Sequence, residues 1–335
     1  MKERVKTSPT VVLGLNVYLE VTTEYSQNEY RKVSADQYLM APASGAANIG
    51  CTIKLLDENS YLNCHLFAIT GPKHSNQYSL GAKLAEGLKY DLEKKSIIFH
   101  PYPLRDKLPI SNNIIERNAK RQITYEKGIV CRPRYKIKRP EAEKIADDIC
   151  QQLVTENSWL ILASLVSDDL MLSQIILKES RDTKKVITLS MDLIKNENRK
   201  VVKIRKKILE SADYLIQNEE ETKMLLKREN PKDWLGELQS MPEKDVIVTL
   251  GEDGVIALTN KGEYFYQPAF PVKAVDSTGV GDAFVGGFIY ASCIGMDFKE
   301  ALRWGAAAGA VQVKKRGGHP KLTRTEIENM LNLGG

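Results

Sequence analysis

The sequence predicts an α/β fold in which helices cover both faces of a mostly parallel central sheet. Stretches with helical spacing separate most of the strand candidates, as in Ile145, Ile149 and Leu153. Each strand candidate is a short, continuously apolar run, which is typical of parallel strands that are buried on both faces. The runs lie at 10–15, 159–165, 186–191, 214–217 and 246–250. Asp192 is predicted to end the third of these strands, at the edge where such sheets bind ligands.

Composition indicates one large globular unit. The chain has 335 residues, of which 42% are apolar and 27% charged, and this is enough to build a sizeable core. Its five cysteines are scattered, without the spacing of a zinc site or a disulfide framework, and this favours a reducing cytosol. No apolar stretch reaches the length of a membrane span. We therefore expect a cytoplasmic protein that does not bind membranes.

Two basic runs are the candidates for a nucleic-acid partner. The stretch from Cys131 to Pro140 carries five basic residues with one aromatic, and the stretch from Lys203 to Lys207 is similar in charge. Most such runs are solvated faces, and no nucleic-acid-binding motif surrounds either one. The net charge of +5 is small. We expect no nucleic-acid partner and keep nucleic-acid binding only as an alternative.

The stretch from Val275 to Ala291 combines a glycine-rich turn, a carboxylate and an apolar segment. Gly279, Val280 and Gly281 can bring backbone N–H groups close to an anion, because glycine has no Cβ to hold a ligand away. Asp282 follows at once and precedes an apolar helix candidate. An anion cradle beside a carboxylate suits phosphoryl transfer. The alternative is an ordinary turn from a strand into a helix.

The motif DSTGVGDAF and the GGF that follows it resemble the C-terminal signature of the PfkB (ribokinase-like) family of carbohydrate and nucleoside kinases. The resemblance implies that Asp282 is the catalytic base and that the amides of Gly279, Val280, Gly281 and Asp282 bind the transferred phosphate. It places Asp276 and Thr278 near a monovalent-cation site, with K⁺ as a candidate ion.

The resemblance also implies a ribokinase-like fold for residues 1–335. A small β-sheet lid would come from residues 16–43 and 108–130, and the nucleotide-binding and catalytic half from about 155–325. The alternating pattern over 111–128, with a turn near Asn118 and Arg121 in its second strand, predicts a hairpin that fits this lid. The alternative is an exposed hairpin unrelated to any site. Family members often dimerise through such lids, so a homodimer is expected on that ground.

The acceptor side carries a partial match. ASGAANIG over 43–50 resembles the family's N-terminal signature, which implies that Gly45 and Asn48 contact the acceptor. Alone, the string reads as a helix-entry turn with Asn48 on a polar face. The aspartate that usually follows the glycine of the first strand is missing after Gly14, and Asn16 or Glu20 is the candidate to replace it.

The nucleotide side has two motifs. Asn218 and Glu221 have the spacing of a capping box at a helix start. The resemblance adds that Glu221 organises the water shell of Mg²⁺, beside nucleotide contacts from Asn218. Thr249, Gly251 and Gly254 lie in a strand, turn and strand that resemble the family's nucleotide turn, although hairpin chemistry also selects them. Gly317 is expected near the adenine pocket.

The sequence thus predicts a kinase that uses ATP and Mg²⁺ to phosphorylate a primary hydroxyl of a sugar or sugar derivative. Two alternatives stay open. One is a nucleoside kinase, because GDAFVGGF resembles the adenosine kinases. The other is a ligand sensor on a kinase-like fold without catalysis, since a fold does not determine a function.

Overall fold

The computed structural model describes residues 8–16, 18–26, 38–71, 80–105, 110–117, 123–131, 135–153, 157–180, 182–230, 233–239 and 244–333. The strands within them are β1 (Thr10–Asn16), β2 (Tyr18–Ser26), β3 (Tyr38–Ala43), β4 (Asn63–Thr70), β5 (Ile98–Pro103), β6 (Ile110–Arg117), β7 (Ile123–Cys131), β8 (Trp159–Leu165), β9 (Lys184–Leu189), β10 (Tyr214–Asn218), β11 (Asp245–Thr249), β12 (Val255–Leu258) and β13 (Tyr264–Gln267). The helices are α1 (Gly45–Leu56), α2 (Leu80–Lys94), α3 (Arg139–Cys150), α4 (Leu170–Glu179), α5 (Met191–Lys195), α6 (Arg199–Glu210), α7 (Glu219–Leu226), α8 (Trp234–Gln239), α9 (Val280–Cys293), α10 (Phe298–Gln312) and α11 (Arg324–Leu333).

The larger sheet has nine strands in the described residues, in the order β13-β12-β11-β10-β9-β8-β1-β4-β5. The strands from β11 to β5 pair in parallel, and β12 and β13 add an antiparallel edge. This arrangement confirms the predicted mostly parallel sheet. Because parallel strands end at one edge of a sheet, the carboxyl ends of β1, β8, β10 and β11 lie along the same edge.

Helices bury both faces of the larger sheet. In β1, Val11 and Leu13 belong to one apolar core, which includes residues of α1, α9, α10 and α11. Val12 belongs to a second core, on the other face, with residues of α3, α4 and α6. Successive side chains of a strand point to opposite faces, so a continuously apolar strand must be covered twice.

The smaller sheet has four strands in the described residues, in the order β3-β2-β6-β7. The pair β2 and β6 is parallel, and the other two pairs are antiparallel. These strands fall within the stretches predicted for the lid. The turn around Asn118 and the predicted strand position of Arg121 lie outside the described residues.

Several predicted boundaries are wrong. The strand expected over 186–191 ends at Leu189, and Asp192 lies exposed in the first turn of α5 instead of at a strand end. Ser190 decides this boundary, because its hydroxyl accepts from the N–H of Leu193 and caps the helix. The apolar series through Leu153 also overruns α3, which ends at Cys150, and β11 ends at Thr249, before the predicted end at 250.

Helix α9 lies between α1 and α10 at very short range, because glycines face both neighbours. A Cβ added at Gly286 would lie 2.5 Å from Thr52 Cβ, and one at Gly287 would lie 2.8 Å from Ala308 Cβ. The GGF that follows the glycine-rich turn therefore has a packing role: it lets the helix that begins at Val280 sit deep in the core. The start of α9 is fixed as a result.

None of the helices in the described part of the chain combines the length and apolar character needed to cross a membrane.

Candidate active site

The glycine-rich turn forms the beginning of α9. Gly279 is its N-cap residue, with φ of 73°, and a Cβ there would lie 2.2 Å from Gly318 O. Only glycine fits this position, for both reasons. The N–H of Val280 makes a long bond of 3.3 Å to Ser277 O, and that of Ala283 bonds Gly279 O at 2.9 Å. The amides between them belong to the first helical turn, where N–H groups have no intrahelical acceptor and favour an anion.

Asp282 lies in this first turn and is held by the other end of the sequence. Asn48 Nδ2 donates to Asp282 Oδ2 at 2.8 Å. Asn48 is 4% exposed, so the alternative that placed it on a polar helix face is wrong. Ser44 caps α1 by accepting from Ala47 N at 3.1 Å, and three-residue spacing then puts Gly45 and Asn48 on neighbouring positions. Both residues lie at a helix start, as the helix-entry turn predicted.

Gly45 completes the contact with Asp282. A Cβ at Gly45 would lie 2.6 Å from Ser164 Oγ and 3.3 Å from Asp282 Oδ1. The predicted acceptor residues and the predicted base are therefore in one place. The side chain of Asn16 lies outside the described residues, so its predicted contact with the acceptor stays a prediction.

Glu221 and Asn218 form the predicted capping box at the start of α7. Asn218 Oδ1 accepts from Glu221 N at 2.8 Å, and Glu221 Oε2 accepts from Asn218 N at 3.0 Å. Burial, followed by the negative charge of Asp282, raises the pKa of Glu221, while its bond to Asn218 N lowers it. The charge of Asp282 thus acts on Glu221, although 61 positions separate the two residues in the chain.

The nucleotide turn follows β11. Thr249 pairs with Asn218 across β10 and β11, so the two predicted contacts are neighbours at the carboxyl edge. Gly251 has φ of 61° and is exposed, and a Cβ added there would meet no heavy atom of the described residues within 4 Å. Gly254 is buried, and a Cβ there would lie 2.2 Å from Gln267 O. Packing therefore requires Gly254, whereas Gly251 leaves room for a ligand.

Asp276 ties the glycine-rich turn to the C-terminal region. Its carboxylate is 1% exposed and accepts from Thr278 N at 2.9 Å and from Gly317 N at 2.8 Å. Gln312 Nε2 donates to Gly317 O at 3.0 Å. Asp276, Thr278 and Gly317 are thus brought together, next to Gly279. A buried carboxylate among backbone groups is chemically suited to a nearby cation.

The basic run before α3 is partly buried. Tyr135, its aromatic residue, is 6% exposed and donates to Asp169 Oδ1 at 2.9 Å, so the ring does not face solvent. In the second basic run, Arg205 Nη1 donates to the carbonyls of Leu193 and Ile194 at 2.7 Å each, which ends α5. Both runs therefore contain residues with structural roles, which favours the expectation of no nucleic-acid partner.

The sequence pattern of the pfkB family of carbohydrate kinases matches residues 135–324. The chain belongs to the pfkB family. The matched range contains the glycine-rich turn, the capping box at Asn218 and the nucleotide turn. Within this pfkB chain, the N-terminal part that supplies Gly45 and Asn48 lies outside the match.

Two curated relatives of this pfkB chain are sugar kinases by name. It is 39% identical over 89 residues to a 2-dehydro-3-deoxygalactonokinase of Haloferax volcanii, covering 27% of this chain and 28% of that one. It is 33% identical over 129 residues to a ribokinase of Schizosaccharomyces pombe, covering 36% and 41%. The alignments thus span well under half the length of these relatives.

Solved structures show the ribokinase fold over nearly the whole chain. Phosphofructokinase-2 from Escherichia coli, in complex with substrates and products, has a TM-score of 0.75 at 16% identity, with 97% and 98% of the two chains covered. The same enzyme in complex with potassium has a TM-score of 0.72 at 15% identity and covers 98% and 99%. A neighbour in complex with ATP and Mg²⁺, also from Escherichia coli, has a TM-score of 0.71 at 17% identity and covers 97% and 99%. At these identities the likeness establishes the fold alone.

Ser164 is a pfkB site candidate that sequence reasoning missed. It lies near the carboxyl end of β8 with φ of 52°, and the pairing of β8 with β9 is irregular between Leu162 and Leu165. The N–H of Ser164 donates to Thr188 Oγ1 at 2.6 Å. Its hydroxyl faces Gly45, beside the base. Nothing in the run LILASLV singles out the serine, because the run reads as an apolar strand.

Proposed function

We propose that this protein is an ATP- and Mg²⁺-dependent kinase that transfers the γ-phosphate to a primary hydroxyl of a sugar or sugar derivative. The observation that carries the proposal is the position of Asp282. Its carboxylate lies in the first turn of α9, beside the glycine-rich turn, and is held by Asn48 at 2.8 Å. A base next to an anion cradle is what transfer of a phosphoryl group to an alcohol requires.

In the proposed reaction, Asp282 accepts the proton of the acceptor hydroxyl as its oxygen attacks the γ-phosphorus of ATP. The bond from the γ-phosphorus to the bridging oxygen breaks, and ADP leaves. The first amides of α9 stabilise the charge on the transferred group, because they are oriented before the reaction begins. Asn48 orients the carboxylate, and its Oδ1, buried without a partner in the described residues, can accept from an acceptor hydroxyl.

The residues of the nucleotide side fit a hydrated Mg²⁺. Mg²⁺ in phosphoryl-transfer sites keeps several waters and uses few carboxylates, and the carboxylate of Glu221 lies within the electrostatic influence of Asp282. Glu221 would hold the water shell, with Asn218, Thr249 and Gly251 beside the nucleotide. When bound, Mg²⁺ would neutralise charge on the phosphates.

A monovalent cation such as K⁺ is a further proposed cofactor, near Asp276 and Thr278. The buried Asp276 carboxylate organises this turn, and a structural neighbour was solved with potassium. A cation here would act on the conformation of the turn that starts α9. The adenine would lie towards Gly317.

The acceptor class is proposed from the relatives. Those named above phosphorylate sugars or sugar acids by name, which favours a sugar derivative over a nucleoside. We also propose a cytoplasmic location, because Cys51, Cys64, Cys150 and Cys293 are free thiols. We further propose that the protein dimerises through the smaller sheet and that it has no nucleic-acid partner.

The test is an ADP-release assay with ATP and Mg²⁺ and a panel of sugars, sugar phosphates, sugar acids and nucleosides. We expect one sugar derivative to raise ADP release well above the rate without acceptor, and mass spectrometry to show one added phosphate on it. Omitting Mg²⁺ should abolish the signal. Nucleotide binding without transfer to any acceptor would favour the ligand-sensor alternative, and preferred turnover of a nucleoside would favour the nucleoside kinase.

A further inference from the structure

Three buried residues meet where the chain passes between the two sheets. Arg105 follows β5, where the chain leaves the larger sheet, and Tyr135 follows β7, where it returns. Asp169 belongs to the turn after β8. Arg105 and Asp169 are 0% exposed and Tyr135 is 6% exposed. We call these three residues the crossover cluster.

The contacts of the crossover cluster join the segment where the chain leaves the larger sheet to the segment where it returns. Arg105 N donates to Thr70 O at 2.9 Å and its Nε to Ile69 O at 3.3 Å, which fastens the exit to the end of β4. The guanidinium lies 4.8 Å from the centre of the Tyr135 ring, in a cation–π contact. Further out, the hairpin of β6 and β7 begins and ends with a pair, because Ile110 is the partner of Cys131.

The same cluster reaches the active site through β8. The Tyr135 hydroxyl donates to Asp169 Oδ1 at 2.9 Å, and Asp169 Oδ2 accepts from Val166 N at 3.3 Å. The turn fixed in this way comes directly after Ser164, which lies against Gly45 beside Asp282. Burial, together with the Asp169 charge, raises the pKa of Tyr135 well above its usual value, so the phenol remains a donor at every physiological pH.

Charged groups are not required simply to hold together the two segments in which the chain passes between the sheets. Replacing buried ionic groups with apolar ones of similar size is often neutral or stabilising, whereas a polar cluster specifies one geometry. Removing Arg105 and Asp169 from water therefore costs free energy, and what these groups provide is one defined arrangement of the cluster. That arrangement connects the base of the smaller sheet with the acceptor side of the site.

We propose that Tyr135 and Asp169 are positioning residues, whose hydrogen bond holds the returning strand of the smaller sheet and the turn after Ser164 in register with the acceptor site. This inference rests on the proposed kinase function for its kinetic effects, but its structural effect does not depend on it. A misplacement on the order of 1 Å in a reacting geometry can cost about 100-fold in rate, so small shifts are measurable.

The test compares Tyr135→Phe with Tyr102→Phe in the full chain. Tyr102 is a matched control, because its hydroxyl also donates to a carboxylate, Asp148 Oδ2 at 2.8 Å. This bond joins β5 to α3 and lies outside the crossover cluster. Hydrogen exchange should become faster in Tyr135→Phe at the amides of both 110–131 and 164–169. In Tyr102→Phe these segments should keep their wild-type exchange. Unchanged exchange in either segment of Tyr135→Phe would overturn the proposal, whatever reaction the protein catalyses.

Kinetics give the second measurement. We expect Tyr135→Phe to raise the KM for the acceptor about ten-fold and to leave the KM for ATP within about two-fold, by analogy with other losses of positioning. The Tyr135→Phe variant should also release more ADP for each acceptor molecule that it phosphorylates. A purely structural role would lower kcat and the folded fraction together without changing the acceptor KM. Asp169→Asn can still accept from the phenol but turns an amide N–H towards Val166 N, so it should also speed exchange at 164–169, and wild-type exchange there would contradict the assigned role of Asp169.

Discussion

Asn48 Nδ2 donates to Asp282 Oδ2 at 2.8 Å across 234 positions of sequence. The bond joins the first turn of α1 to the first turn of α9. Both helix starts are fixed by packing, α1 by its Ser44 cap and α9 by its glycine contacts with Thr52 and Ala308. The carboxylate proposed as the base is thus oriented by a buried amide instead of by solvent.

Asn48→Ala should lower kcat/KM for the acceptor about 10- to 100-fold, because a hydrogen bond to a charged group contributes about 1.5–3 kcal/mol. The KM for ATP should change little. Steady-state kinetics with the preferred acceptor measure both. Asn63→Ala, an exposed asparagine at the start of β4, is the control and should behave as wild type. Equal effects on the ATP and acceptor parameters would contradict the assigned orientation of Asp282.

Asp282→Asn should reduce turnover by about 100- to 10,000-fold, the range expected for the loss of a general base. The fold and nucleotide binding should survive, because an amide replaces the carboxylate at nearly the same size. Circular dichroism and titration with ATP check these two points. Near-wild-type turnover would remove Asp282 from the reaction.

Glu221→Gln should raise the Mg²⁺ concentration needed for half-maximal activity more than it raises the acceptor KM. Glutamine keeps the capping box, since either residue can accept from Asn218 N. Glu220→Gln is the matched control, because Glu220 lies in the same helical turn but is exposed and pairs with Lys223. An unchanged Mg²⁺ titration would leave Glu221 with the capping role alone.

The pH dependence of Glu221 follows from its raised pKa. A carboxyl whose folded pKa lies above its unfolded pKa stabilises the fold at low pH, and this contribution is lost as pH rises through the folded pKa. At neutral pH the ionised group is therefore a stability cost, and Glu221→Gln should unfold at the same or a higher temperature than wild type. Thermal unfolding at pH 7 checks this, and a clear drop in Tm would show that the ionised carboxylate stabilises the fold.

Gly281→Ala tests how closely a ligand approaches the glycine-rich turn, and Gly279→Ala also tests backbone strain in that turn. A Cβ at Gly281 would meet no heavy atom of the described residues within 4 Å, so the variant should fold normally and raise the KM for ATP about ten-fold through its anion cradle. Gly279→Ala should also unfold more easily by about 1–2 kcal/mol or more, because φ is positive and Gly318 O lies in the way. Denaturant unfolding distinguishes the two. An unchanged KM in Gly281→Ala would place the phosphates elsewhere.

Free ribose and free fructose should be poor substrates. The aspartate expected after Gly14 is absent, and an acceptor hydroxyl left without its partner in a desolvated site costs about 1–3 kcal/mol. The kcat/KM values of these sugars, set against those of sugar phosphates and sugar acids, measure the effect. Efficient turnover of ribose would mean that another residue replaces the aspartate.

The sequence by itself determined the features that depend on neighbours in the chain. Continuous apolar runs identified the parallel strands β1, β8, β9, β10 and β11 but not β4 and β5. The spacing of Asn218 and Glu221 identified the capping box, and the glycine spacing identified the turn before Asp282. Local patterns fail at boundaries, as with Asp192, because a single cap at Ser190 decides where a strand ends and a helix begins.

Tertiary structure alone decided which of these motifs meet. The contacts of Asn48 with Asp282, of Gly45 with Ser164 and of Tyr135 with Asp169 join segments that share no spacing rule. They depend on how helices and loops pack against the larger sheet, in which the carboxyl ends of β1, β8, β10 and β11 lie along one edge. Burial was decided there as well: Asn48 and Tyr135 are polar residues, and only the packing of helices against that sheet placed them inside the protein.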